Sequence, residues 1–238
     1  MTKSLLALLS ISLLHGEDKA TLLFEDDFER KESQEKTEEI GKGWGSNSKK
    51  RAKGNKQVDL KDGAMHIAIH PEADHAVSVT HEAKFKNGRI DLRFQLENKD
   101  DSLGLNFADL GYKKVHAGHL CVTRIGTSSL VISDLKTGVM DLKVRQLRQS
   151  NKLSPTLVKM LMTKTKKFDH KLEPGKWHTL SVRIYANVMS VTINDKEVGK
   201  LSSTGIGHPT KTTLRLSVKK KAIVDDVKIY SLDQKAPE

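Results

Sequence analysis

From Gln57 onward, apolar and polar side chains alternate with a period of two, the spacing of a strand that buries one face. Val58 and Leu60, then Met65, Ile67 and Ile69, flank Lys61-Asp62-Gly63, which predicts a hairpin. Val77 and Val79 follow, and Ile90, Leu92, Phe94 and Leu96 interleave with Arg89, Asp91, Arg93 and Gln95. Leu103, Leu105 and Phe107 keep the rhythm, while Leu120 and Val122 stand opposite His119, Cys121 and Thr123. Leu130 and Ile132 form another short run. Leu180, Val182 and Ile184 alternate with Thr179, Ser181 and Arg183 before turns at Ala186-Asn187 and Asn194-Asp195. Leu214, Leu216 and Val218, then Val224, Val227 and Ile229, predict the last two strands. Many short strands with turn punctuation predict an all-β sandwich, one domain over 21–233.

Three segments break the alternation. Residues 25–39 are acid-rich and predicted helical or irregular; 45–56 carry five basic residues, no acid and two glycines, and predict a solvated loop. Over 142–168, Ser154-Pro155 offers an N-cap followed by proline at the first helical position. Leu157, Leu161 and Phe168, with Val158, Met160 and Met162, fall near helical spacing, so one basic helix is expected as an insertion at 143–168.

Composition narrows the function. The chain has 238 residues and a formal charge of +11, from 41 Lys and Arg against 30 Asp and Glu. A surface that basic favours anionic partners. Eight of the cations, and no acid, lie between Lys143 and Lys167. Lys143, Arg145, Arg148, Lys159, Lys164, Lys166 and Lys167 are therefore the expected polyanion contacts, with Lys49, Lys50, Arg51, Lys53 and Lys219, Lys220 and Lys221 as further clusters. The single cysteine, Cys121, excludes an internal disulfide and a cysteine-rich zinc module, and is expected to be a small, partly buried residue rather than a nucleophile. Lys3 and the apolar run 5–14 predict a signal peptide over 1–16, which would export the mature chain to the periplasm, the cell envelope or the medium. No second apolar stretch predicts a transmembrane segment. Export, and strands without interleaved aromatic and basic residues, argue against nucleic acid as partner.

Motifs of hydrolysis are sparse. No Glu-x-Asp-x-x-Glu, His-Glu-x-x-His, phosphate loop or Gly-x-Ser-x-Gly occurs. Asp225 and Asp226 are adjacent on a predicted strand, so alternation sends them to opposite faces and no catalytic residue is assigned. His66 and His70, or His116 and His119, are close in sequence without a third ligand at metal spacing. No cofactor follows from these residues, and whether calcium occupies a loop stays open. Trp177 is expected to pack at a strand start.

The closing third carries the most specific pattern. Pro174-Gly175-Lys176-Trp177-His178 leads into a strand, Asn194-Asp195 turns it, Gly205-Ile206-Gly207 follows, and Ile223-Val224-Asp225-Asp226-Val227 begins the last strand. Earlier, Phe24-Glu25-Asp26-Asp27-Phe28, Asp62-Gly63 and Phe85-Lys86-Asn87-Gly88-Arg89-Ile90 fit the same frame. Together they resemble concanavalin A-like (laminin G-like) jelly rolls, and are similar in particular to the 3-keto-disaccharide hydrolase family. Asp100-Asp101-Ser102 stands where that family has Asn-Ser-Gly, and 142–168 has no counterpart in it. The resemblance implies a jelly-roll β-sandwich whose concave sheet binds glycan. Arg93, Gln95, Asn106, His119 and Thr123 are then expected on one sheet as the polar lining of a groove. Three functions follow: an exported non-catalytic carbohydrate-binding domain, with anionic polysaccharide as the ligand the charge favours; a hydrolase of 3-keto-disaccharides or related modified sugars; and an interaction protein whose basic helix docks an acidic partner.

Overall fold

A computed structural model describes residues 20–233; the predicted signal peptide lies outside them. In chain order the elements are β1 (Thr21–Asp26), β2 (Gly45–Ser46), α1 (Ser48–Arg51), β3 (Val58–Lys61), β4 (Ala64–Ala68) and β5 (Val77–Phe85). Next come β6 (Gly88–Gln95), β7 (Ser102–Ala108), β8 (His119–Gly126), β9 (Ser129–Asp134), α2 (Leu142–Gln149) and α3 (Pro155–Met162). The chain closes with β10 (Thr165–Asp169), β11 (Trp177–Tyr185), β12 (Val188–Ile193), β13 (Lys196–Ser202), β14 (Lys211–Val218) and β15 (Lys221–Ser231).

The strands form two antiparallel sheets. One has eight strands in the order β13-β12-β11-β6-β15-β4-β3, with β1 also paired to β15; the other has seven, β10-β9-β8-β7-β14-β5-β2. The alternation explains the layering. Ile90, Leu92 and Phe94 of β6 and Leu103, Leu105 and Phe107 of β7 turn inward and are buried in one shared core with Met65, Ile67, Val182, Leu216 and Ile229. This is a jelly-roll sandwich, as expected. Its edge beside β10 closes because Gly199 lacks a side chain: a Cβ there would meet the Phe168 ring at 2.6 Å.

The insertion differs from the expected single helix. It holds two short helices followed by a strand. Asp141 caps α2 by accepting from the backbone N–H groups of Lys143 and Val144, and Ser154 caps α3 by accepting from Leu157. The second helix stops at Met162, and Phe168 lies on β10, paired with Leu130 of β9. Sheet pairing overrides the helical spacing there, because an extended chain completes the edge of β9 and seats Phe168 against the core.

In the acid-rich segment 25–39, Glu25 and Asp26 end β1 and the rest is irregular rather than helical, yet it has a structural task. β3 is an edge strand. Glu38 Oε1 accepts from the N–H groups of Gln57 and Val58, and Glu32 Oε2 from that of Leu60. Carboxylates therefore occupy the place of a missing neighbour and block edge-to-edge pairing. Asp26 anchors the same segment. Its buried carboxylate accepts from Arg30 at 2.6 and 2.9 Å, from Trp44 Nε1 at 2.8 Å and from the Phe28 N–H at 3.1 Å, with Lys42 Nζ at 3.1 Å.

Candidate ligand-binding face

The five polar residues expected on one sheet do not share one. Arg93 and Gln95 lie on β6, in the eight-stranded sheet, whereas Asn106, His119 and Thr123 lie on β7 and β8 in the seven-stranded sheet. Thr123 does not line a groove at all. It pairs with Leu105, faces the core with 0% exposure, and its hydroxyl has no hydrogen-bond partner. The inward face of β8 is Cys121, Thr123 and Ile125, and Val122 points outward. A register shift between Phe107 and Ala108 turns His119 to the outward face, where alternation already places Asn106.

That outward face of the seven-stranded sheet is recessed. Asn106 is 6% exposed, Val122 6% and Ser133 7%, although all three point away from the core. The neighbouring outward positions are small or polar: Gly104, Ser217, Ser78 and Thr80. Arg215, on β14 between Asn106 of β7 and Thr80 of β5, stands in the middle of this floor.

The loop from β7 to β8 shapes one side. Ala117 and Gly118 both adopt left-handed backbone, φ 50° and 72°. A side chain on Gly118 would collide with the Asp109 carbonyl, so glycine is required for the loop to fold back. The fold-back aims the Ala117 carbonyl at Arg215, whose Nη2 donates to it at 2.8 Å. His119 Nδ1 lies 2.9 Å from the Asn106 side-chain oxygen, to which it donates, and 3.0 Å from Arg215 Nη1, while Nε2 lies 3.4 Å from that same nitrogen. A guanidinium only donates, so the imidazole presents it the lone pair of Nε2 and stays neutral. Burial, and then the charges of Arg215, His116 and His75, push the His119 pKa down to about 4. Burial also lowers that of Arg215. No carboxylate among the described residues pairs with Arg215. Sequence reasoning missed this residue. Alternation in Leu214-Arg215-Leu216 does send it outward, but only strand order sets it beside Asn106 and His119.

The outward face of the eight-stranded sheet carries a different pattern. A groove of about 550 Å³ runs over Arg89, Asp91, Arg93, Ser181, Asp226 and Tyr230. Both arginines in it are paired within the protein: Arg89 Nε with Asp91 at 2.9 Å, and Arg93 Nη1 with both Asp225 and Asp226 at 3.3 Å. The expectation that Asp225 and Asp226 face opposite ways is overturned. A bulge between Asp225 and Lys228, with Asp226 at φ 50°, breaks the alternation. Burial, and then the nearby Asp226 and Glu29 charges, raise the Asp225 pKa above the ordinary carboxylate value despite Arg93 and the Asp226 N–H. Trp177 begins β11, as expected at a strand start, yet it is 39% exposed with Arg93 over its ring at 4.8 Å.

The expected polyanion contacts are dispersed. Lys143, Arg145 and Arg148 are on α2 and Lys159 is on α3. Lys164 lies between α3 and β10 and donates to Ser203 at 3.3 Å, while Lys166 and Lys167 point to opposite faces of β10. The His116 and His119 rings are 6.4 Å apart. Among the described residues, no group of three or more His, Cys, Asp or Glu could hold a metal ion. Cys121 is fully buried, which pushes its thiol up to about 12.

No protein-family model and no curated protein matches this chain. Solved structures do. A laminarinase from Rhodothermus marinus superposes with a TM-score of 0.58 at 8% identity, over 89% of this chain and 97% of that one. SCLam, a non-specific endo-beta-1,3(4)-glucanase from family GH16, gives 0.55 at 11%, over 90% and 92%. The carbohydrate binding module CBM66 from Bacillus subtilis gives 0.50 at 8%, over 78% and 93%. Identities this low show the fold alone, a jelly-roll sandwich.

Proposed function

We propose that the recessed face of the seven-stranded sheet binds a carbohydrate bearing carboxylate or sulfate groups, and that the chain is a carbohydrate-binding or interaction domain without catalysis. One observation carries the reading: Arg215 is half-buried in that floor, bonded to a carbonyl and a neutral imidazole, with no carboxylate of the described residues beside it. A guanidinium held out of water without an acid is an unfilled half of a charge-assisted pair, and its planar fork matches a carboxylate or sulfate. Asn106, Thr80, Ser78 and Ser217 around it supply neutral donors and acceptors suited to sugar hydroxyls. The glucanases and the carbohydrate-binding module on the same fold support a glycan as the ligand class. Export after cleavage near residue 16 belongs to the proposal, since such polymers lie outside the cell.

Calorimetric titration of glucuronate-bearing and sulfated oligosaccharides against neutral ones of equal length tests the reading. Support is binding confined to the acidic ligands and weakened about tenfold or more in Arg215→Lys, which keeps the charge and loses the fork. Equal affinity for neutral ligands, or an unaffected Arg215→Lys, would overturn it.

A hydrolase of 3-keto-disaccharides or related modified sugars is the second reading. What favours it is the pair Asp225 and Asp226, gathered on one face by Arg93, with the Asp225 carboxyl raised. A pair of carboxyls, one of them with a raised pKa, is what glycoside hydrolysis uses. Turnover of a 3-keto-glucoside that disappears in Asp225→Asn would establish it.

A further inference from the structure

We propose that the α2–α3 hairpin docks the protein on an anionic lipid bilayer. The chain leaves the sandwich after β9, forms these two helices, and returns at β10. At about 100° per residue, Met160, Leu157, Leu161, Val158 and Met162 fill an arc of about 200° on α3. That is roughly twice the stripe a helix needs to lie on a core. None of the eight residues of α3 is buried, and Met162 is 71% exposed. Leu142, which opens α2, is 45% exposed, and α2 buries only Val144. A helix this apolar belongs against something apolar, and its own protein covers it only in part: Leu157, Val158, Met160 and Leu161 are half-buried and Met162 is exposed.

The charge around it selects the occupant. Lys143, Arg145 and Arg148 on α2, Lys152 in the link and Lys159 on α3 have no acid within the hairpin. The acid at its root, Asp141, has an oxygen committed to the cap of α2. A sulfated polysaccharide would engage these cations and leave the apolar arc in water. A bilayer with anionic headgroups offers phosphate to the cations and acyl chains to Met162 and Leu142 at the same boundary. Among the described residues no helix is long and apolar enough to cross a membrane, so the hairpin lies on the surface.

Co-sedimentation of the full chain with phosphatidylcholine vesicles, and with vesicles of equal phosphatidylcholine and phosphatidylglycerol, tests the proposal. The expected result is binding to the mixed vesicles only. It weakens with salt and falls about tenfold or more in Met162→Asp, with thermal midpoint and oligosaccharide binding unchanged. The double variant Arg148→Glu/Lys159→Glu should lose binding similarly. Absence of binding to the mixed vesicles, or binding indifferent to Met162→Asp, would overturn it. So would tighter retention on heparin than on mixed vesicles, indifferent to Met162→Asp, which assigns the hairpin to polysaccharide. A dimer that Met162→Asp dissociates would equally overturn it, by assigning the apolar arc to a second copy.

Discussion

Asp225 and Asp226 are consecutive residues of one strand, and both reach the same nitrogen, Arg93 Nη1, at 3.3 Å. Regular alternation forbids this; the bulge in β15 permits it by holding Asp226 at φ 50°. Aspartate tolerates that conformation and a β-branched residue does not. Asp226→Gly and Asp226→Val remove the same carboxylate, so their difference isolates the backbone. Asp226→Val is expected to be less stable than Asp226→Gly by about 1–2 kcal/mol in urea denaturation.

Thr123 supplies the opposite test, a polar group with nothing to bond. Its hydroxyl is enclosed in the core without a partner. Valine has nearly the same shape and no polar atom to desolvate. Thr123→Val should raise stability by about 1 kcal/mol, read as a higher denaturation midpoint at unchanged slope.

At Asp26, burial raises the carboxyl pKa, but hydrogen bonds from Arg30, the Phe28 N–H, Lys42 and Trp44 together outweigh it and hold the group below its ordinary value of 3.8. Asp26→Asn leaves the Arg30 and Lys42 charges without their common partner and should cost about 2–4 kcal/mol at neutral pH. Because the folded value is depressed, the contribution is present above about pH 4 and is lost as pH falls through the folded value. The gap between wild type and Asp26→Asn should therefore shrink in acid, as measured by denaturation at neutral pH and at progressively lower pH.

His119 gives a second pH window. Its pKa is about 4 in the folded chain against 6.5 ordinarily, so the unfolded chain takes up the proton first. The stability His119 contributes is complete above pH 6.5, declines from 6.5 to about 4, and is constant below. His119→Asn, which keeps an acceptor toward Arg215, should remove this share. The wild-type minus variant difference in unfolding free energy then slopes only inside that window; a flat difference would contradict the neutral assignment.

The parts of the molecule differ in how legible they were. Ile90, Leu92 and Phe94, or Leu214 and Leu216, declare their inward face in any local window, because a strand offers only two faces. The split of Arg93 and Gln95 from Asn106 and His119 is invisible locally: β6 and β7 are consecutive in the chain yet pair in different sheets. Thr123 was misplaced because Leu120 and Val122 set the apparent phase of β8, while its pairing with Leu105 sets the real one. The helix over 155–162 was readable from its Ser-Pro start, but its end was not, because β9 rather than spacing recruits Phe168 into a strand.

Sequence alone therefore determined the sandwich, its core and its basic charge, since burial of alternating apolar residues needs only near neighbours along the chain. Tertiary structure alone decided which polar residues meet. Strand order brought Arg215 to His119, and one extra residue in β15 turned Asp226 to the face of Asp225. Both depend on hydrogen-bonded pairing between distant segments, which no local pattern encodes.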